Sequence, residues 1–294
     1  MINYSIIIPH KNSFDELLNA LKSIPIRDDI EVLIIDNSST QIKLEDIECW
    51  TKNKIKLLFS DKYLGAGSAR NIGLKMSTGK WILFLDADDV FVEGAFNSFD
   101  KYKSSSLDLI YFKTTSEQKN SNRASARHIF YSKLVSDFLS NYPNSLDNLR
   151  YKFFPPWGKL IKHKLIKDHN ILFDEIPASN DLMFSTKIGH CAKKITADES
   201  IVYCVTESNN SLTKTITRLN SRSRYKAAVN YYNFMVENKI PSIRPNLMPQ
   251  IIMATQFGLS ELFWYVSYSW GEKVNIFISF MRWPKVLHQF FRKK

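Results

Sequence analysis

Hydrophobic positions along the first 110 residues change period several times. Tyr4-Ser5-Ile6-Ile7-Ile8 is a β-branched run closed by Pro9 and predicts a buried strand. Phe14, Leu17, Leu18 and Leu21 then recur at helical spacing, with Ser13 placed to cap the helix. Glu31-Val32-Leu33-Ile34-Ile35 and Ile55 to Phe59 predict two more strands, Gly65 to Met76 a helix, and Trp81-Ile82-Leu83-Phe84-Leu85 a fourth strand. Leu107 to Phe112 predicts a fifth. Continuous apolar strands alternating with helices imply a mostly parallel sheet covered on both faces, an α/β fold.

Three of these strands run into polar, turn-prone clusters: Pro9-His10-Lys11-Asn12, Asp36-Asn37-Ser38-Ser39 and Asp86-Ala87-Asp88-Asp89. Ligands of open α/β sheets bind at the carboxyl ends of the strands, so the three clusters are expected to converge on one crevice. Farther on, the polar stretch Lys113 to Arg127 predicts an exposed loop. Trp157 to Lys167 and Asp181 to Ile188 predict helices, and Ile201 to Val205 a strand. Asn220 to Asn238 and Ile251 to Tyr268 predict longer helices.

The 294 residues hold 44% hydrophobic and 23% charged positions, enough for a sizeable core and too ordered a mixture for a disordered chain. Cys49, Cys191 and Cys204 lie far apart with no C-x-x-C, which excludes a multi-cysteine zinc site and argues for a reducing compartment. The apolar run at the start lacks a basic leader and stops at Pro9, so a signal peptide is not expected. The net charge is +11. Residues 220–294 hold eleven Lys and Arg against Glu237, Glu261 and Glu272, a local +8, which points to an anionic partner for this part.

Phe84-Leu85-Asp86-Ala87-Asp88-Asp89 carries the strongest chemical signal. Unpaired buried carboxylates are too costly for a core, so all three are expected at the surface of the crevice. Clustered carboxylates repel, and a hard divalent cation relieves the repulsion while keeping positions open for phosphates. Gly65-Ala66-Gly67-Ser68-Ala69-Arg70-Asn71-Ile72-Gly73 departs from the dinucleotide pattern G-x-G-x-x-G, since Arg70 stands at the third glycine. The small residues allow a helix start to approach the sheet closely, and Arg70 can pair with a phosphate or a strand-end Asp. Ser211 has no G-x-S-x-G setting, and His163, His169 and His190 share no metal-ligand spacing.

Ile6 to Asn12, Ile34 to Ser39, Gly67 to Gly73 and Leu85 to Asp89 together resemble the successive motifs of family-2 glycosyltransferases with the GT-A fold. Trp157-Gly158-Lys159-Leu160-Ile161, Phe173-Asp174-Glu175 and Asn180-Asp181-Leu182-Met183-Phe184 resemble the acceptor-side motifs of that family. The likeness runs from about residue 4 to about residue 215. It implies a GT-A nucleotide-sugar-binding fold, Rossmann-like, with a C-terminal helical region added. It implies that Pro9, His10 and Asn12 border the nucleotide, with His10 where the family often stacks an aromatic on the base. Asp36 would accept a hydrogen bond from the base, and Arg70 would sit beside the nucleotide and the Asp86–Asp88 turn. Asp86, with Ala87, would face the ribose, and Asp88 would ligate Mn²⁺ or Mg²⁺. Asp181 would be the catalytic base, its family neighbour acid replaced here by Asn180. Asn209, Ser211 and Thr213 would contact the diphosphate.

The expected activity is an inverting, metal-dependent transfer of a sugar from a UDP-sugar to a growing surface glycan, such as lipid-linked O-antigen or capsule. The expected organisation is a glycosyltransferase domain over residues 1–219 and a basic, aromatic-rich helical region over 220–294. Residues 1–112 would form its nucleotide-binding half and 113–219 its acceptor-binding half. The alternative classes are a basic nucleic-acid-binding module, for which no RNP, helix-turn-helix or zinc signature is present, and a sugar-nucleotide-binding scaffold without turnover. The partners expected are therefore the donor, the glycan acceptor and an anionic membrane surface, not nucleic acid; a homo-oligomer is compatible. Residues 274–294 mix aromatic and cationic positions around Pro284, the composition of two short pieces lying in a membrane interface. The alternative for this segment is packing against the catalytic domain or a second subunit; the expected location is the cytoplasm, peripherally on the inner face of the membrane.

Overall fold

The structure, a computed structural model, describes residues 1–37, 43–48, 53–60, 65–119, 125–207 and 216–276. Cys49, Ser38 and Ser39, the expected diphosphate contacts Asn209, Ser211 and Thr213, and residues 277–294 lie outside the described residues.

The first half of the chain alternates strand and helix as its periodicity predicts. β1 (Tyr4–His10), α1 (Phe14–Lys22), β2 (Ile30–Asp36), α2 (Leu44–Glu48), β3 (Lys54–Phe59), α3 (Gly65–Met76) and β4 (Trp81–Phe84) follow in order. β5 (Val90–Phe91), α4 (Ala95–Asp100) and β6 (Leu109–Gln118) come next. The second half holds α5 (Ile129–Ser140), α6 (Leu146–Lys152), β7 (Lys159–Lys162), α7 (His163–Asp168), α8 (Leu182–Cys191) and β8 (Ile195–Glu207). It closes with α9 (Arg218–Glu237), α10 (Met248–Ala254) and α11 (Leu259–Gly271).

One eight-stranded sheet in the order β3-β2-β1-β4-β7-β6-β8-β5 carries the core. β1 to β4 are parallel, and only β7 and β5 pair antiparallel to their neighbours. Ile6, Ile7 and Ile8, Val32 to Ile35 and Trp81 to Phe84 are buried, as a sheet covered on both faces requires. Register brings the three strand-end clusters together: His10 lies opposite Asp36, and Ile7 lies opposite Phe84 and accepts the Leu85 N–H at 3.1 Å. The three strand ends thus lie side by side, as expected, although only the Asp86 cluster reaches the cavity described below. Ser13 does stand at the N-cap of α1, although its side chain makes no capping bond.

Three sequence expectations need correction. The segment from Lys113 is not a loop at its start, because β6 continues to Gln118 with Thr114 and Ser116 buried. Hydroxyl side chains hide the period-2 pattern: Ser116 bonds the Ser125 carbonyl and His128, and Ser132 Oγ bridges the Thr114 N–H and carbonyl. Trp157 to Lys167 is not one helix; β7 occupies its centre, inserted between β4 and β6. The helix expected over 251–268 is two, interrupted by a 3₁₀ turn and by Gly258 at φ 99°, a conformation that L side chains resist.

The C-terminal helices are part of the same body. Tyr225, Val229 and Tyr232 of α9 pack with Ile251 of α10 and Tyr265 of α11 in a second cluster. Tyr231 on α9 donates to the Tyr151 carbonyl at 2.6 Å, and Ser223 both donates to the Ala178 carbonyl (2.8 Å) and accepts its N–H (3.1 Å). Glu261, almost fully buried, pairs with Arg222 at 2.6 Å and with Arg218 at 3.3 Å.

α3 approaches the segment before α8 closely enough to require glycine. A Cβ on Gly67 would stand 2.2 Å from the Asp174 carbonyl oxygen and 3.0 Å from Asn180 Cβ. Gly67→Ala is therefore expected to cost about 1–3 kcal/mol, as overpacking does. A thermal melt followed by circular dichroism should move down by several degrees. An unchanged melt would mean that the 174–180 segment yields without cost.

Candidate functional site

The carbonyl end of β4 delivers Asp86, Ala87, Asp88 and Asp89 in a tight turn, in which the Asp89 N–H donates to the Asp86 carbonyl at 3.0 Å. The three carboxylates have separate fates. Asp86 accepts from Arg70 Nη2 at 2.5 Å. Asp89, expected at the surface, is instead 3% exposed. It survives burial because it is not unpaired: the Tyr203 hydroxyl donates to Oδ2 at 2.8 Å and the Thr206 N–H to Oδ1 at 2.7 Å. Burial, with the charges of Asp88 and Asp86, pushes its carboxyl well above the ordinary range. Asp88, at the apex, is exposed as a residue. The protein packed around its carboxyl, and then the charge of Asp86, lift it to about 6, with Arg127 opposing.

Arg70 is the hub. It sits on α3, is 6% exposed, and lies with its guanidinium 5.3 Å from the centre of the Phe173 ring. Nη1 donates to Asn180 Oδ1 at 3.0 Å while Nη2 holds Asp86, so one planar fork joins the turn after β4 to the segment before α8. Its Nε is buried without a partner among the described residues. Asn180 thus has a positional role of its own: a neutral oxygen takes one branch of the guanidinium.

Asp181 stands at the N-cap position of α8 without making a side-chain cap bond. Its carboxyl is raised above the ordinary value, chiefly by burial, with Arg70 and Lys159 pulling it back and Asp86 adding to the rise. Lys159, from β7, is buried and donates to the carbonyls of Phe153 and Pro155, both at 2.7 Å, and to Ser185 Oγ at 3.0 Å. All three ammonium donors are satisfied, and burial holds the amine well below its ordinary pKa. This lysine ties the 153–157 loop to α8, on the first turn after Asp181.

Arg70, Asp86, Asn180 and Asp181 line one cavity of about 790 Å³ with Trp157 and Tyr131. Asn220, Arg224 and Ala228 of α9 and Gln250 of α10 close its far wall. The remaining expected donor-side residues group at the ends of β1 and β2. His10 Nδ1 lies 2.8 Å from Asp36 Oδ1, and His10 Nε2 accepts the Ser13 N–H at 3.2 Å. The ring therefore carries its proton on Nδ1 and donates to Asp36. Both residues are buried, Pro9 is half-buried, and Asn12 is exposed with φ 50°, a left-handed conformation that Asn tolerates.

Two groups at this site carry no signal in the sequence. Tyr203 reads as one aromatic in a strand, and Arg127 as one cation in a polar stretch. Lys159 and Trp157 stand in the motif noted above, but only the structure gives them partners. Asn37 Oδ1, at the end of β2, is buried without a partner among the described residues. Within those residues no three His, Cys, Asp or Glu side chains gather as a metal cluster.

The family model described as "Glycosyl transferase family 2" matches residues 5–169. A poly(ribitol-phosphate) beta-N-acetylglucosaminyltransferase, TarS, of Staphylococcus aureus (strain Mu50 / ATCC 700699) is 28% identical over 218 residues, 69% of this chain and 35% of that protein. The first curated relatives are matched over 13%, 15% and 35% of their own lengths, so this chain spans only a part of them. Among solved structures, S. aureus TarS 1–349 in complex with UDP-GlcNAc superposes with a TM-score of 0.62 at 19% identity, covering 80% of this chain and 67% of that one. A mannosyltransferase from Pyrobaculum calidifontis in complex with GDP-Man and Mn²⁺ gives 0.52 at 14% identity over 99% of this chain and 88% of its own. At these identities the structural likeness establishes the fold.

Proposed function

Because the chain belongs to the family-2 glycosyltransferases, we propose that it transfers a sugar, with inversion and with a divalent metal, from a UDP-sugar to a hydroxyl of a growing surface glycan. The observation that carries this reading is the single cavity on which Asp181 and the Arg70–Asp86 pair converge. A UDP-sugar as donor is supported by the neighbouring structure that holds UDP-GlcNAc, which is more similar than the one that holds GDP-Man.

The residues present suit a metal. Arg70 engages Asp86, and Tyr203 with Thr206 engages Asp89, which leaves Asp88 at the apex of the turn, its carboxyl raised first by the protein packed around it and then by the charge of Asp86. Asp88 would hold Mn²⁺ or Mg²⁺, whose remaining oxygens would come from the diphosphate and water. Bound there, the ion supplies Lewis-acid stabilisation of the charge growing on the leaving group.

The chain's own groups account for the rest. Pro9, His10, Asn12 and Asp36 border the nucleotide, Asp86 and Ala87 the ribose, and Arg70, with a buried N–H to spare, the phosphates. Asp181 removes the proton of the acceptor hydroxyl as that oxygen bonds to the anomeric carbon, and the carbon–oxygen bond to the diphosphate breaks with its electron pair. One carboxylate on the acceptor side suits attack opposite the leaving group, and so inversion. Asn209, Ser211 and Thr213 are retained in the proposal as diphosphate contacts. The division at residue 219 is retained as a boundary of sequence character, though α9 and α10 wall the acceptor side.

Membrane docking belongs to the same proposal. Leu259, Phe263, Val266 and Trp270 fall on one face of α11, and all are exposed, Trp270 to 83%. None of the described helices is long and apolar enough to cross a membrane. An exposed apolar stripe within a basic region supports attachment to an anionic surface on which a lipid-linked glycan is presented.

Asp88→Ala should abolish the strengthening of UDP binding by Mn²⁺ in calorimetry while leaving the melt unchanged. Equal Mn²⁺-dependent affinity in the variant would remove Asp88 from the metal site. Asp181→Asn should keep UDP affinity and lower turnover by at least about 10²-fold, as loss of a general base does. In the parent protein the base must be ionised, so kcat/KM should fall as pH drops through its raised pKa. That places the acid limb above the ordinary carboxylate range, and Asp181→Asn should erase it. A variant with near-parent rates would send the search for the base elsewhere. Trp270→Ser with Phe263→Ser should reduce co-sedimentation with anionic liposomes and spare UDP binding; undiminished sedimentation would locate the membrane contact off α11.

A further inference from the structure

Tyr203 is completely buried, and a phenylalanine would fill its place in the core equally well. A hydroxyl in such surroundings is costly unless it is hydrogen-bonded, so its partners disclose its use. Both partners belong to one turn. The hydroxyl accepts the Asp86 N–H at 3.0 Å and donates to Asp89 Oδ2 at 2.8 Å. Thr206, three residues along β8, donates its N–H to the other Asp89 oxygen at 2.7 Å. The turn is thus fastened at both ends to a single strand, and Asp88 is displayed between the fastenings.

The ring of Tyr203 has a second engagement. It stacks on the Trp157 indole with centroids 5.3 Å apart and planes 14° from parallel. Trp157 lines the cavity that holds Asp181 and meets Tyr131, another lining residue, edge-on at 5.4 Å. One side chain therefore touches the turn that bears Asp88 and the aromatic wall opposite it.

We propose that Tyr203 is a positioning residue whose hydroxyl sets the placement of the Asp88 carboxylate and whose ring registers that turn against Trp157 on the acceptor side. The proposal rests on Asp88 as the metal-holding carboxylate. The donor-and-acceptor arrangement requires a protonated phenol. Burial first, and then the charges of Asp89 and Asp86, raise its pKa well above the ordinary value and keep it so. Removing the hydroxyl leaves the stack intact but frees the Asp86 end of the turn and strips one donor from a buried carboxylate.

The test is Tyr203→Phe in the full chain, with UDP binding measured by calorimetry in Mn²⁺ and in EDTA, and with steady-state kinetics alongside. UDP affinity in EDTA should match the parent. Affinity in Mn²⁺ should weaken about tenfold, the scale of one hydrogen bond to a charged group, and kcat should fall while the acceptor KM holds. Phe112→Leu, a core change packed on Phe99 and Tyr102, serves as the control. It should lower the melt and preserve the Mn²⁺ effect. If Tyr203→Phe keeps the full Mn²⁺ effect, or if Phe112→Leu loses it equally, the proposal is overturned. Absence of any Mn²⁺ effect in the parent protein would instead overturn the reading of Asp88. Should Tyr203→Phe not fold, Asp89→Asn leaves one oxygen for the Thr206 N–H and an amide that donates to the Tyr203 hydroxyl, so the hydroxyl no longer donates to residue 89. This variant should weaken the Mn²⁺ effect by severalfold, and parent-like binding there overturns the proposal as well.

Discussion

Asp86, Asp88 and Asp89 crowd three negative charges into four residues at the end of a buried strand. Two like charges about 4 Å apart at an effective dielectric of about 20 repel by about 4 kcal/mol, a large part of the roughly 5–15 kcal/mol that holds a domain folded. The surrounding fold answers this repulsion by giving each carboxylate a different environment. Arg70 reaches Asp86 from α3, Tyr203 and Thr206 reach Asp89 from β8, and Asp88 is turned to the surface. Two of the three are therefore held by side chains of the fold, and Asp88 is left at the exposed apex of the turn.

This distribution explains why elements distant in sequence must meet here. The Arg70 fork binds Asn180 as well as Asp86, so one side chain ties the turn after β4 to the residue next to Asp181. Gly67 lets α3 come close enough for the fork to reach both. Replacement of the family acid by Asn180 fits this geometry. An acid there would compete with Asp86 for the same guanidinium, whereas a neutral amide oxygen leaves most of that charge to Asp86 and to the field around Asp181. The change that raised the thought of a scaffold without turnover is thus compatible with a working base.

Much of the nucleotide half was legible in the sequence, because its signals are local. Runs such as Ile6-Ile7-Ile8, the turn residues after them and the helical spacing of Leu17 and Leu21 depend on near neighbours only. The expectations that failed depend on distant ones. β7 is short and has residues suited to a helix, and it becomes a strand because β4 and β6 leave a place between them. Thr114 and Ser116 look like loop residues until Ser125, His128 and Ser132 satisfy their hydroxyls and backbone. Asp89 looks like a surface acid until a tyrosine more than a hundred residues later completes it. At the candidate site, the motif-bearing residues Asp86, Arg70 and Asp181 do meet, whereas Tyr203, whose partners lie in the turn after β4 and the loop before β7, gave no local sign.

The same distinction bears on the C-terminal helices. By composition, residues from 220 onward look like an appendage with its own business at an anionic surface. In the fold, α9 grips the segment that leads into Asp181, since Ser223 satisfies both the N–H and the carbonyl of Ala178. Asn220, Arg224 and Ala228 of α9, with Gln250 of α10, then line the same cavity as Asp181. The family model ends at residue 169, before either Asp181 or this wall. The matched part thus holds Asp36, Arg70, Asp86 and Asp88, while Asp181, the proposed base, and the helices that line its cavity lie in the remainder. The C-terminal helices thus divide two tasks between them: α9 and α10 line the cavity that holds Asp181, and α11, packed on α9 and α10, turns an apolar stripe outward.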